Sequence, residues 1–214
     1  MATLRVWDRG TARRLAAVDA FPFPSGVRQR FGFEHETMNS GDLQKVEDAT
    51  RQWFRLAARH PKAKLAMPSV AVDALWHELT LHTREYDAFC AGAFGRSLHH
   101  IPASSVKPES IGPGLSAAYR LACEDEPSDG SRLPLLFRVD RELAITGGHR
   151  YIADCGGRSQ CHELPGARCL RHIAGPERSR RKGWRAFDRP GPNGPYAGGP
   201  DGCGAGCGGG CGGN

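Results

Sequence analysis

Hydrophobic positions recur at helical spacing along most of this chain, and almost no stretch alternates at strand spacing. Thr11 to Val18 is short and amphipathic and predicts a helix. Pro22 and Pro24 block helix in the turn FPFPSG at 21–26. Asn39-Ser40-Gly41-Asp42 is a helix start, and beyond it Leu43, Val46, Ala49, Trp53, Phe54 and Ala57 fall on one face. That helix should end at His60, because the residue before Pro61 avoids the α region. Ser69 is placed to cap the next helix, VAVDALWHELTLH. Thr83 either starts a new turn or lies within a continuing helix, and Gly95 is a natural terminator. Another helix is expected from Pro113 to about Glu124. Residues 133–145 favour helix, with Pro134 in the first turn and Leu135, Leu136, Val139 and Leu143 at helical offsets. Gly147-Gly148 breaks it, and 150–153 reads as a short strand or extended segment. There is no βαβ alternation, so the predicted class is mainly α.

Composition divides the chain. Fourteen of its 28 glycines lie after His172, where few apolar residues remain to offset ordering entropy. Residues 1–172 therefore read as a small helical globular domain with an irregular Cys/His-rich C-terminal segment. Residues 173–214 read as a disordered basic and Gly/Cys-rich tail. The N-terminus lacks the apolar region of a secretory signal, and no run of about 18 apolar residues suits a membrane span. The expected home is the cytoplasm, where the eight cysteines stay reduced and serve metal or redox chemistry rather than a disulfide framework. The net charge of +6 is mild. Part of it comes from the basic stretch 178–185, which is either a solvated linker or a weak nucleic-acid contact with Trp184 available to stack.

Ligand-type side chains concentrate in 72–102, VDALWHELTLHTREYDAFCAGAFGRSLHHIP. Asp73 and His77 are four apart and share a helix face, as do Glu78 and His82. Tyr86 and Cys90 continue the second row if the helix does not break, and His99 and His100 can fold back from the loop beyond. Imidazoles, a carboxylate and a thiolate suit zinc. On this reading the metal ligands are Asp73, His77, His82 and one of His99 or His100, with Glu78, Tyr86 and Cys90 around them. The spacing rejects a HExxH metalloprotease. His77 and His82 are five apart, about 140° around a straight helix, so one ion takes both only if the helix breaks near Thr83. A structural alternative makes these side chains core residues with satisfied polar ends.

Cys155, Cys161, His162 and Cys169, flanked by His149 and His172, form a secondary metal candidate without the close-spaced cysteine pairs of a zinc knuckle. Cys123 reads as a small buried apolar residue. In the tail, Cys203, Cys207 and Cys211 recur every four residues in nearly pure glycine. They suit a soft metal such as Cu(I) or Zn(II), thiazole-forming modification, or no specific role.

Val72-Asp73, Leu75-Trp76-His77, His82-Thr83, Tyr86, Phe89-Cys90, Phe94-Gly95 and His99-His100-x-Pro102 together resemble the bacterial glycine-rich domain-containing protein family. They are similar to the conserved-domain portion of plant glycine-rich domain proteins. RQWFRLAARHP, LPLLFRVDRELAI and the Gly/Cys tail extend the likeness over most of 21–172 and, by composition, over the tail. The resemblance implies a regulatory role in growth and stress responses and no defined reaction. No RNA-binding motif accompanies it here.

The functional expectation is a divalent-metal-binding or regulatory module, with zinc as the cofactor and the tail contacting a protein partner or metal. A metal-dependent hydrolase with Glu78 as general base is the enzymatic alternative. A metal-free interaction protein is the third. No nucleophile elbow, phosphate loop or dinucleotide fingerprint supports another enzyme class.

Overall fold

A computed structural model of the chain describes residues 8–101, 108–128, 132–153 and 167–174. The protein is mainly helical. The first five helices are α1 (Arg9–Ala20), α2 (Ser25–Glu34), α3 (Ser40–Arg59), α4 (Val70–Leu81) and α5 (Thr83–Ala93). They are followed by α6 (Pro108–Asp125), α7 (Leu135–Glu142), two short strands and a final helical turn. The strands, β1 (Arg150–Ile152) and β2 (Ala167–Cys169), pair in parallel with Tyr151 opposite Arg168, and α8 (Leu170–Ala174) follows directly.

The long helix α3 organises the rest, packing against α1, α4, α6 and α7. Its start is the predicted one. The Asn39 side chain accepts from the Gly41 and Asp42 N–H groups, and Asp42 accepts back from the Asn39 N–H. Its burial is wider than one stripe, because Leu56 and Ala58 are buried together with Glu47, Thr50 and Gln52. Glu47, Thr50 and Gln52 each have a partner. Arg28 holds both oxygens of Glu47 at 2.5 and 2.7 Å, and Gln52 accepts from the Leu136 N–H at 2.8 Å.

Two predictions needed revision. Pro22 and Pro24 do exclude helix, but α2 begins at Ser25 straight after them, and its exposed Phe33 blurs the amphipathic pattern. α6 begins at Pro108, earlier than expected, and carries Pro113 inside it. The turn around Gly114 lies so close to the 65–66 segment that a Cβ there would stand 2.9 Å from Ala66.

The helix over 133–145 is realised as α7, and the extended segment at 150–153 as β1. α7 supplies the anchor for α4. Asp140 is buried and accepts from the Ser69 hydroxyl at 2.6 Å and from the Val70, Ala71 and His149 N–H groups at 2.8, 3.2 and 2.9 Å. Ser69 caps α4 as predicted, its Oγ accepting from Val72 N–H at 3.1 Å. Leu75 and Leu79 are then fully buried, worth about 1.5–3 kcal/mol each relative to exposure.

The proposed boundary after residue 172 falls inside α8, which runs to Ala174. Cys155, Cys161, His162, the basic stretch 178–185 and the cysteines of the tail lie outside the described residues. No helix among the described residues is long and apolar enough to cross a membrane.

Candidate functional site

The helix does break between α4 and α5. His82 ends α4 and begins α5, with φ −86° and ψ 66°. The break does not bring His82 to His77. A Cβ on Gly26 of α2 would lie only 2.9 Å from His82 Cε1, so the imidazole rests on that glycine. Glu78 follows the same side of α4. It is buried, and Arg30 of α2 places its Nε 3.0 Å from Glu78 Oε2, an ion pair outside hydrogen-bond angles. The structure thus separates the second predicted row, Glu78 and His82, from the first and gives it to the α2 interface.

The first row converges with the returning loop. Gly95, at φ +67°, reverses the chain after α5, and its N–H reaches Cys90 O at 3.1 Å. Residues 96–100 then run back beside α4 and α5. Side chains of α4 and α5 hold them. The Tyr86 hydroxyl donates to the Leu98 carbonyl and accepts from Trp76 Nε1 at 2.9 Å. His100 Nε2 lies 2.9 Å from Asp73 Oδ1. A carboxylate only accepts, so Nε2 carries the proton and Nδ1 is the nitrogen left for another partner.

His100 also stands edge-on to Trp76, with centroids 4.8 Å apart, at the margin of a buried aromatic cluster of Trp53, Trp76, Phe54 and Phe89. Its other neighbour is His77, whose ring centroid is 5.4 Å away. His77 is exposed and His100 half-buried. His77, His99 and His100 line a cleft of about 400 Å³ whose remaining wall includes Thr80, Thr83, Asp87 and Ser97.

Tyr86 and Cys90 support this arrangement from beneath. Burial pushes the Tyr86 phenol well above its ordinary range, against the Trp76 hydrogen bond, which pulls it down. Burial likewise raises the Cys90 thiol, opposed by the hydrogen bonds from the Leu98 backbone and Tyr86. Cys90 is 1% exposed, a neutral packing group rather than a thiolate ligand. Among the described residues no three His, Cys, Asp or Glu side chains close on a single metal position. The described protein therefore offers a two-imidazole pair with one carboxylate behind it.

A family model matches residues 13–173, which takes in α2 to α7, most of α1 and α8, and the whole cleft. The chain belongs to the UCP032817-like family. No curated protein and no solved structure matches it. The UCP032817-like match thus covers the Asp73–His100 pair, His77 and the Tyr86 tie, while the cysteines of the tail fall beyond it.

Some cleft residues gave little sign of themselves in the sequence. Thr83 and Asp87 are four apart at the start of α5, the same spacing that marks Asp73 and His77, and that was the available cue. Thr80 and Ser97 carried none. Of the secondary cluster, Cys169 is buried at the end of β2, and His149 bonds through Nδ1 to the Pro68 carbonyl at 3.0 Å. Its other cysteines lie outside the described residues.

Proposed function

We propose that this domain is a binding or regulatory module that takes a divalent transition metal, zinc by ligand type, on His77 and His100. The observation that carries the reading is their 5.4 Å centroid separation. Two imidazoles bound to one tetrahedral zinc through bonds near 2 Å have ring centroids about 5 Å apart. The Asp73 carboxylate on His100 Nε2 supports it further, since metal-ligating imidazoles characteristically donate their other N–H to a carboxylate. His99 and His82 are not ligands in this reading. His99 is an exposed wall of the cleft, and His82 is a packing residue against α2.

Glu78 is engaged with Arg30 away from the cleft, so the geometry favours a binder over the hydrolase that Glu78 would serve. A regulatory module of this kind is what the sequence resemblance described above implies.

Equilibrium dialysis of the apo-protein against zinc, with metal quantified per chain, tests the proposal. Stoichiometric metal is expected, lost in His77→Ala and His100→Ala with helical content retained, and kept in His82→Ala. Folded wild-type protein that takes up no zinc would overturn it.

A metal-free reading also has an observation behind it. Trp76, Tyr86 and Leu98 form a closed tie that holds the loop with no ion required. On that reading His77→Ala leaves stability unchanged whether or not zinc is present.

A further inference from the structure

The ends of three helices meet at one end of the domain. α1 runs antiparallel to α3. Arg55 of α3 meets Asp19 of α1 at 2.7 Å, and Arg14 donates from Nε to the Ala58 carbonyl at 3.1 Å. The start of α1 therefore lies at the C-terminal end of α3. α1 also runs antiparallel to α5. Ala20 and Phe21 share one groove with Glu85 and Phe89, while a Cβ on Gly92 would stand 3.7 Å from Ala17. The same register carries the start of α1 toward Arg96, just past α5. Arg96 joins the third end, donating from Nη2 to the Pro61 carbonyl beyond α3 at 3.3 Å.

Cations collect at this shared end without partners of opposite charge. Arg9 and Arg13 continue the row of Ala17 along α1 at four-residue intervals. Lys62 and Lys64 flank Ala63, whose N–H closes the turn after α3 onto the His60 carbonyl at 2.9 Å. All four are exposed, and so is Arg96. Among the described residues none of these five meets a carboxylate, whereas Arg28, Arg30, Arg51, Arg55, Arg59 and Arg138 each do. Asp8 is occupied as the cap of α1, accepting from the Thr11 N–H and hydroxyl at 2.9 and 2.8 Å.

We propose that this surface binds the phosphate backbone of a nucleic-acid duplex without reading its sequence. The inference is independent of the metal-binding reading, and the surface is distinct from the basic stretch 178–185.

Charge segregation carries it. Lys and Arg that are not neutralised within the fold can neutralise phosphates and release the counterions condensed on them. The chemistry of the surface then selects among polyanions. Segments 9–16, 60–64 and 95–97 contain no Phe, Tyr or Trp, so they offer no platform for stacking an unpaired base. Their exposed apolar residues are Ala12, Ala16, Pro61 and Ala63, too small to anchor in a bilayer. The large exposed apolar residues, Phe33, Leu81 and Ile101, lie on other segments. A duplex needs neither stacking nor insertion, because it presents a dense array of phosphates to a cationic face.

Fluorescence anisotropy of a short, labelled, mixed-sequence DNA duplex, titrated with full-length protein over a range of salt concentrations, is the test. Binding is expected at low salt, with the logarithm of affinity falling linearly against that of salt at a slope of about −3 to −4. The triple variant Lys62→Ala, Lys64→Ala, Arg96→Ala should keep its helical content, bind about 100-fold more weakly and lose about 2–3 units of slope. The same loss is expected in a background in which Arg178, Arg180, Arg181, Lys182 and Arg185 are alanine.

Folded protein that binds no duplex at low salt overturns the proposal. Binding unchanged in the triple variant, but lost in the alanine-substituted background, assigns the contact to 178–185 and also overturns it. Tighter binding to one strand of the same sequence than to the duplex means that bases are held rather than phosphates, and refutes it as well. Vesicles containing phosphatidylserine supply the last arm. They should not capture the protein at salt concentrations where the duplex does. Vesicle capture that the triple variant abolishes, with no duplex binding, makes the surface a membrane contact instead.

Discussion

Trp76 Nε1 donates to the Tyr86 hydroxyl at 2.9 Å across the break between α4 and α5. The same hydroxyl donates onward to the Leu98 carbonyl. One phenol thus joins both helices of the cleft to the loop that carries His99 and His100.

Tyr86→Phe should remove both bonds and leave a buried indole N–H and a carbonyl without partners. The expected cost is about 1–3 kcal/mol. Thermal unfolding reads it as a fall of about 2–4 °C per kcal/mol. In a Trp76→Phe background the same change should cost less, because the indole donor is already gone.

Asp73→Asn should leave the fold intact and weaken zinc binding about 10–100-fold, the usual effect of removing the carboxylate behind a ligating imidazole. Competition titration with a chromogenic chelator measures it. An unchanged affinity would mean that the Asp73–His100 bond serves packing alone.

Asp140→Ala should be among the most damaging substitutions in the domain. It strands the Ser69 hydroxyl and three backbone N–H groups, of Val70, Ala71 and His149, at about 3 kcal/mol or more in total. Urea denaturation should show a lower midpoint with an unchanged slope. A fragment of residues 8–101 lacks this carboxylate and should be poorly folded even though it holds the whole cleft.

Glu126 should confer acid sensitivity. Burial alone would push its carboxyl up, but the Leu135 N–H and the Arg138 guanidinium outweigh burial and hold it below the usual 4.5. A depressed folded value means that the stabilisation is complete above the unfolded value and is lost as pH falls through the folded one. Stability measured from pH 6 downward should drop below about 4.5, and Glu126→Gln should flatten that part of the profile.

Cys90 should resist alkylation. Burial raises its thiol and excludes reagent, so peptide-resolved labelling at neutral pH should modify it only after unfolding. Rapid labelling of Cys90 in the folded protein would show that the loop at 96–100 opens readily.

The helical class, the start of α3 and the Ser69 cap were legible in the sequence, whereas at Thr83 a new turn and a continuing helix were equally compatible with it. The legible features depend on residues within a few positions of one another: an Asn-x-x-Asp box, a serine before an apolar run, a proline after His60. Half of the candidate site was legible on the same terms. Asp73 and His77 share a face by helical period, and His100 follows a glycine that reverses the chain. The other half was not. His82 looks like a ligand and Glu78 like its supporting carboxylate until α2 supplies Gly26 and Arg30, and no local pattern announces α2, with its exposed Phe33. Asp140 was equally hidden, since its partners at Ser69, Val70 and Ala71 lie about seventy residues away.

The seat of His82 on Gly26 acts as a hinge pin held from outside. His82 sets the elbow between α4 and α5, and those two helices are opposite jaws of the cleft. The gap between the jaws is therefore gauged by a residue of α2 that never enters it. Even one methyl group at position 26 would meet the His82 ring at 2.9 Å and push it off its seat, with every ligand side chain still in place.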